Sequence, residues 1–153
     1  MKKKLLHKSV TINATPKLVF QSFIDPNRLT AWLHAHSAVV ALCIDGPYSI
    51  GWHAESDGDF YVCCGKIKSF ELHKMLKITG INYFFARKKT IGPLDFTLTF
   101  EKKKSETNIS FKLYGAGTGA PWEKNFKAVF NSWEESLYLL KKYIEKDTRK
   151  SKS

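Results

Sequence analysis

Apolar positions along the chain change their spacing twice, and the changes divide it into three stretches. In the first, Val10 and Ile12 share one side of the run Leu6–Ile12, which predicts an opening strand. Ala14-Thr15-Pro16 then predicts a helix start. Thr15 can accept a hydrogen bond from an orphan N–H, and Pro16 is preset for the first helical position. Val19, Phe20, Phe23 and Ile24 form one apolar helical stripe. Asp25-Pro26 ends that helix, because a residue before proline avoids the helical region. Asn27 is the expected cap of a second short helix carrying Leu29, Trp32 and Leu33.

From about residue 38 the spacing becomes that of strands. Ala38–Leu42 is a short apolar run, Asp45-Gly46-Pro47 a turn, and Tyr48–Trp52 alternates after it. Ser56-Asp57-Gly58-Asp59 contains the Asp-Gly pair favoured in tight hairpins. Phe60–Phe70 and Lys74–Gly80 predict two further strands. Phe96, Leu98 and Phe100 occupy one face of the next, and Ile109, Phe111 and Leu113 repeat the alternation. Neighbouring strands without intervening helices imply an antiparallel meander.

Gly115-Ala-Gly117-Thr-Gly119 then breaks the sheet and is expected to be a flexible connection. It is not a dinucleotide fingerprint, because no βαβ unit or ribose-binding acid follows it. In the third stretch Trp122, Phe126, Val129, Phe130, Trp133, Leu137, Leu140 and Ile144 recur at helical spacing. A helix of about 23 residues, about 35 Å long, is expected there, enough to cross a whole sheet. The fold class is therefore α+β, with a curved sheet of six or seven antiparallel strands around a long C-terminal helix.

The length of 153 residues fits a single domain. We expect a core over about residues 8–146, with basic tails at 1–4 and 147–153. The net charge of +11 is concentrated at the ends: residues 1–4 and 146–153 carry +6 and residues 5–145 only +5. That distribution argues for solvated tails and against nucleic acid as the partner, leaving attraction to acidic partners as the functional alternative. No apolar run is long enough to span a bilayer, and the basic start lacks the apolar segment of a secretion signal. Cys43, Cys63 and Cys64 have no framework spacing and are expected to be reduced. A cytoplasmic location is the expectation.

Local words sharpen the picture. The order of one strand, two short helices, a meander and a long helix resembles the START-like (SRPBCC) superfamily and its helix-grip fold. Ala14-Thr-Pro-x-x-Val19-Phe20 leading to Asp25-Pro26-x-x-Leu29-x-x-Trp32 resembles the opening of the domain related to activators of the ninety-kilodalton heat-shock chaperone ATPase. Gly46-Pro47-Tyr48-Ser49-Ile50 is similar to that family's turn into its third strand, and Trp122, Trp133, Leu137 and Leu140 to its closing helix. The likeness covers roughly residues 8–146. Two places depart from it: Ser132 stands where the family often has glycine, and Leu33-His34-Ala35-His36 replaces a tryptophan- or glycine-rich stretch. The resemblance implies a cavity between sheet and helix and brings no shared catalytic triad.

Candidate chemistry is sparse. His34 and His36 would share a face in extended backbone and could hold a metal with a third ligand such as Asp45 or His53, but the spacing does not demand it. His53, Glu55, Asp57 and Asp59 straddle the hairpin signal and fit a solvated loop better than an acid–base site. No serine lies in a nucleophile elbow. Tyr61, Tyr83 and Tyr114 could each present a hydroxyl to a cavity. No cofactor, metal or catalytic residue is expected.

The candidate ligand-binding residues are Trp32, Trp52, Tyr61, Phe96, Phe111, Phe126, Phe130 and Trp133, with His34 and His53 at the rim. The same aromatics would also make a filled core, and both readings stand at this point. The leading expectation is a binding module for a small hydrophobic or amphipathic molecule. The alternatives are a module for a chaperone or other protein partner, and a cyclase- or hydrolase-type enzyme using the same cavity.

Overall fold

The computed structural model describes residues 3–53 and 60–152. They form an antiparallel sheet gripped by a long helix, the α+β arrangement expected. Strand β1 (Lys4–Ile12) is followed by α1 (Pro16–Ile24) and α2 (Pro26–Trp32). Strands β2 (Ser37–Val40), β3 (Pro47–His53), β4 (Phe60–Glu71), β5 (Met75–Phe85), β6 (Ile91–Lys103) and β7 (Glu106–Gly115) follow, and then α3 (Ala120–Lys152). The sheet order is β1-β7-β6-β5-β4-β3-β2, so the meander from β2 to β7 is closed at one edge by β1. Among the described residues, no helix is long and apolar enough to cross a membrane. The expected hairpin at Ser56–Asp59, with Glu55, lies outside the described residues.

The short helices start as the sequence requires. Thr15 Oγ1 accepts from Leu18 N at 3.3 Å, with Pro16 in the first turn. For α2 the expectation needs correcting. Asp25, not Asn27, is the cap; its Oδ1 accepts from Asn27 N at 2.9 Å, and Pro26 occupies the first helical position. One residue thus closes α1 and opens α2, which makes the sharp corner between them. The corner is fastened from below: Trp32 Nε1 donates to Ser22 O at 2.8 Å and Tyr48 Oη donates to Phe23 O at 2.7 Å. Trp32 and Tyr48 are fully or almost fully buried, so the indole N–H and the phenol O–H need these partners.

β5 does not stop at Gly80 as expected. It passes through a bulge: between two pairs with β6, β5 advances three residues (Ile78 to Ile81) while β6 advances two (Phe96 to Leu94). Gly80 has φ 59°, and Asp95 Oδ1 accepts from Gly80 N at 2.9 Å and from Thr79 Oγ1 at 2.8 Å. An extra residue in a period-two strand exchanges its faces. Before the bulge Leu76 and Ile78 point inward; after it Ile81 and Tyr83 do, while Phe84 is exposed.

α3 runs 33 residues, longer than the predicted helix. Its inward stripe, Phe126, Val129, Phe130, Trp133, Leu137, Leu140 and Ile144, is buried as the spacing demanded. Polar contacts tie its flank to β1: Lys141 Nζ donates to Thr11 O at 2.6 Å, Lys8 faces Glu134 at 3.5 Å, and Lys4 pairs with Glu123. The glycine-rich connection is packed as well as a link. Gly115 is buried at the end of β7, and side chains at 115 or 117 would collide with the Trp122 ring.

Candidate functional site

Alternation places Trp52 on β3, Tyr61 on β4 and Phe85 on β5 on one face, in direct cross-strand register. Their rings form a stack. Trp52 and Tyr61 lie 4.6 Å apart and 9° from parallel, and Tyr61 and Phe85 5.9 Å apart at 22°. Trp52 Nε1 also donates to Leu33 O at 3.0 Å, anchoring the stack to the end of α2. Opposite it, Asn125, Ala128, Val129, Ser132, Trp133 and Ser136 present one face of α3 at three- and four-residue steps. Between the two walls lies a pocket of about 460 Å³, bounded also by Leu33, Tyr83, Ile91 and the two lysines Lys88 and Lys89 of the β5–β6 connection.

Tyr83 and Trp133 join the walls at the inner end. Trp133 Nε1 donates to Tyr83 Oη at 2.6 Å, and both side chains are buried. Burial, with smaller contributions from nearby groups, pushes the Tyr83 phenol well above its ordinary value. It therefore keeps its proton, and a phenol that accepts from the indole still has an O–H to donate. Tyr61 is shifted in the same direction by partial burial and by Cys63.

Of the residues singled out from sequence, Trp52, Tyr61 and Trp133 line this pocket. Trp32, Phe96, Phe111, Phe126 and Phe130 lie outside its lining. Trp32 packs on Phe23 under α2, and Phe96 and Phe111 fill the space beneath Trp133 at ring distances of 5.1 and 5.5 Å. Phe126 stacks on Trp122 and Phe130 leans on Phe111. One part of the helix face is thus packed solid and a neighbouring part faces open space.

His34 and His53 are exposed and outside the lining. His34 follows α2 with φ 52°, so it is not in the extended backbone that would align it with His36. The His36 ring instead meets His53 edge to face at 4.4 Å. Among the described residues no group of three His, Cys, Asp or Glu side chains could hold a metal.

Sequence reasoning missed Phe85, Lys88, Lys89 and Ile91 as pocket residues because it ended β5 at Gly80. Ser132 carried a signal: the departure from the family's glycine lies on the pocket wall.

The architecture recurs in solved proteins of low sequence identity. A Rhodobacter sphaeroides protein superposes with a TM-score of 0.75 at 18% identity, covering 92% of this chain and 91% of its own. A Chromobacterium violaceum protein gives 0.69 at 18% identity, with 90% and 94% covered. A Staphylococcus aureus protein of unknown function gives 0.71 at 13% identity, with 97% and 98% covered. At these identities the likeness concerns the fold. No curated protein matches the sequence. The family model described as "Activator of Hsp90 ATPase homolog 1-like protein" matches residues 13–145, from the end of β1 through most of α3. The chain belongs to that family.

Proposed function

We propose that this protein binds a small apolar or amphipathic molecule in the pocket between the Trp52–Tyr61–Phe85 stack and α3. The observation that carries the reading is the pocket itself. About 460 Å³ is within the range of about 300–1,000 Å³ for small-molecule sites, which are mostly apolar with a few placed polar groups. Affinity would come from the buried area of the apolar walls, at about 25 cal/mol per Å². Orientation would come from the Tyr83 hydroxyl inside and from Ser132 and Asn125 on the helix. Among the described residues the lining is mainly aromatic and aliphatic, with a few hydroxyls, one amide and two lysines, a surface suited to holding a molecule.

The test is a fluorescence titration with N-phenyl-1-naphthylamine, a neutral apolar probe, against the protein and its Ala128→Trp variant. Ala128 is exposed on the helix wall, and an indole there would occupy the pocket. Saturable binding to the protein and its loss in the folded variant are expected. Equal binding to both, or none to either, would remove the pocket from the function.

A second reading has one observation in its favour. The outer sheet face carries a groove of about 380 Å³ lined by Lys3, Lys68, Lys77 and Lys112, with Asp95 the one carboxylate among the described residues of its lining. Such a face suits an acidic segment of a protein partner. Charge reversal at Lys68 and Lys77 would abolish that association and leave probe binding intact.

A further inference from the structure

Building on the pocket reading, we propose that its ligand is an amphiphile with one anionic head, the apolar body lying along the aromatic stack and the head held at Lys88 and Lys89. Among the described residues of the lining the charged groups are these two lysines, with no aspartate or glutamate beside them. They are adjacent residues of the short connection between β5 and β6, the strands on which Phe85 and Ile91 also line the pocket. Both lysines are exposed, whereas Tyr83 and Trp133 at the other end are buried. The site is therefore polarised: neutral and apolar inside, cationic at the mouth. No carboxylate of a described residue pairs with either ammonium, so the charge is available to a ligand.

A wholly neutral ligand would gain nothing from this mouth, and a cationic one would be repelled by it. An anion such as a carboxylate or sulfonate gains two charge-assisted hydrogen bonds while its head stays hydrated. Exposure keeps each interaction modest, so the lysines would select and orient more than they would bind.

The test pairs two probes with one apolar body. 1-Anilinonaphthalene-8-sulfonate carries a sulfonate that N-phenyl-1-naphthylamine lacks. Titrations would be run on the protein, the Lys88→Gln/Lys89→Gln variant and a control, Lys68→Gln/Lys77→Gln, altered on the other face of the sheet. The sulfonate probe should bind the protein more tightly than the neutral one. It should lose about tenfold in affinity in the first variant and almost none in the control. The neutral probe should bind all three alike. Neutral-probe binding with no preference for the sulfonate, or an equal loss in the control, would overturn the anionic head and leave the pocket reading standing. Failure of both probes would overturn both.

Discussion

Trp133 Nε1 of α3 donates to Tyr83 Oη of β5 at 2.6 Å, and this bond joins the helix to the sheet at the inner end of the pocket. Both partners are buried, and the indole N–H depends on the phenol oxygen for satisfaction. Replacing Tyr83 by phenylalanine would strand the indole N–H away from water, at a cost of about 1–3 kcal/mol. Urea denaturation of Tyr83→Phe should show that loss. The double variant Tyr83→Phe/Trp133→Phe should recover part of it relative to the sum of the single changes, since no orphaned donor remains. Strict additivity in this cycle would mean the bond carries no coupling.

The bulge at Gly80 makes that bond possible, because it turns Tyr83 inward. Asp95 holds the bulge by accepting from Gly80 N and Thr79 Oγ1. Asp95→Ala should destabilise the fold by about 1–3 kcal/mol. It should also weaken binding of the neutral probe, by loosening the segment that carries Tyr83 and Phe85. A stability loss with unchanged probe affinity would separate the bulge from the pocket.

Tyr61 is the middle ring of the aromatic wall and is 39% exposed, so the fold can spare it better than it can Trp133. Removing one aromatic contact is worth about 0.5–1.5 kcal/mol beyond area. Tyr61→Ala should therefore weaken the neutral probe about tenfold with a small change in the urea midpoint. Undiminished affinity would place the probe elsewhere.

Cys63, two residues along β4 from Tyr61, is fully buried. Burial is the main reason its thiol is pushed up from 9.0 to about 12. The folded state thus holds its proton more firmly than the unfolded chain does. The resulting stabilisation is fully present below about pH 9 and is lost as pH rises towards 12, with a slope of up to about 1.4 kcal/mol per pH unit. Cys63→Ala should flatten the fall in urea midpoint between pH 9 and 10. Tyr48 and Tyr83, raised by burial in the same way, add their own losses above pH 10 in both proteins. Identical slopes would mean that Cys63 does not contribute.

Gly115 and Gly117 leave room for the tryptophan that follows. A methyl group at 117 would overlap the rigid Trp122 ring, and overpacking of this kind costs about 1–3 kcal/mol. Gly117→Ala should lower the thermal midpoint, and Gly117→Ala/Trp122→Leu should lower it by less than the two single changes summed.

Periodicity by itself determined the order of elements, the inward stripe of α3 and the alternation of β6 and β7, because these follow from local geometry and from which positions must escape water. The cap at Thr15 and the end of α1 at Asp25-Pro26 were equally legible, each being a matter of a few adjacent residues, whereas the cap of α2 proved to be Asp25 and not the expected Asn27. Tertiary structure alone decided which aromatics would line space and which would fill it. Phe96 and Trp52 read alike in the sequence, but Phe96 sits mid-sheet beneath Trp133, whereas Trp52 stands near the sheet's β2 edge, against Tyr61 and the end of α2. The bulge at Gly80 was hidden for a similar reason. Its holder, Asp95, lies on the neighbouring strand, so the face on which Tyr83 and Phe85 emerge is set by a contact fifteen residues away in the chain. That contact, with the loop beyond it, brings Lys88 and Lys89 to the mouth of the pocket.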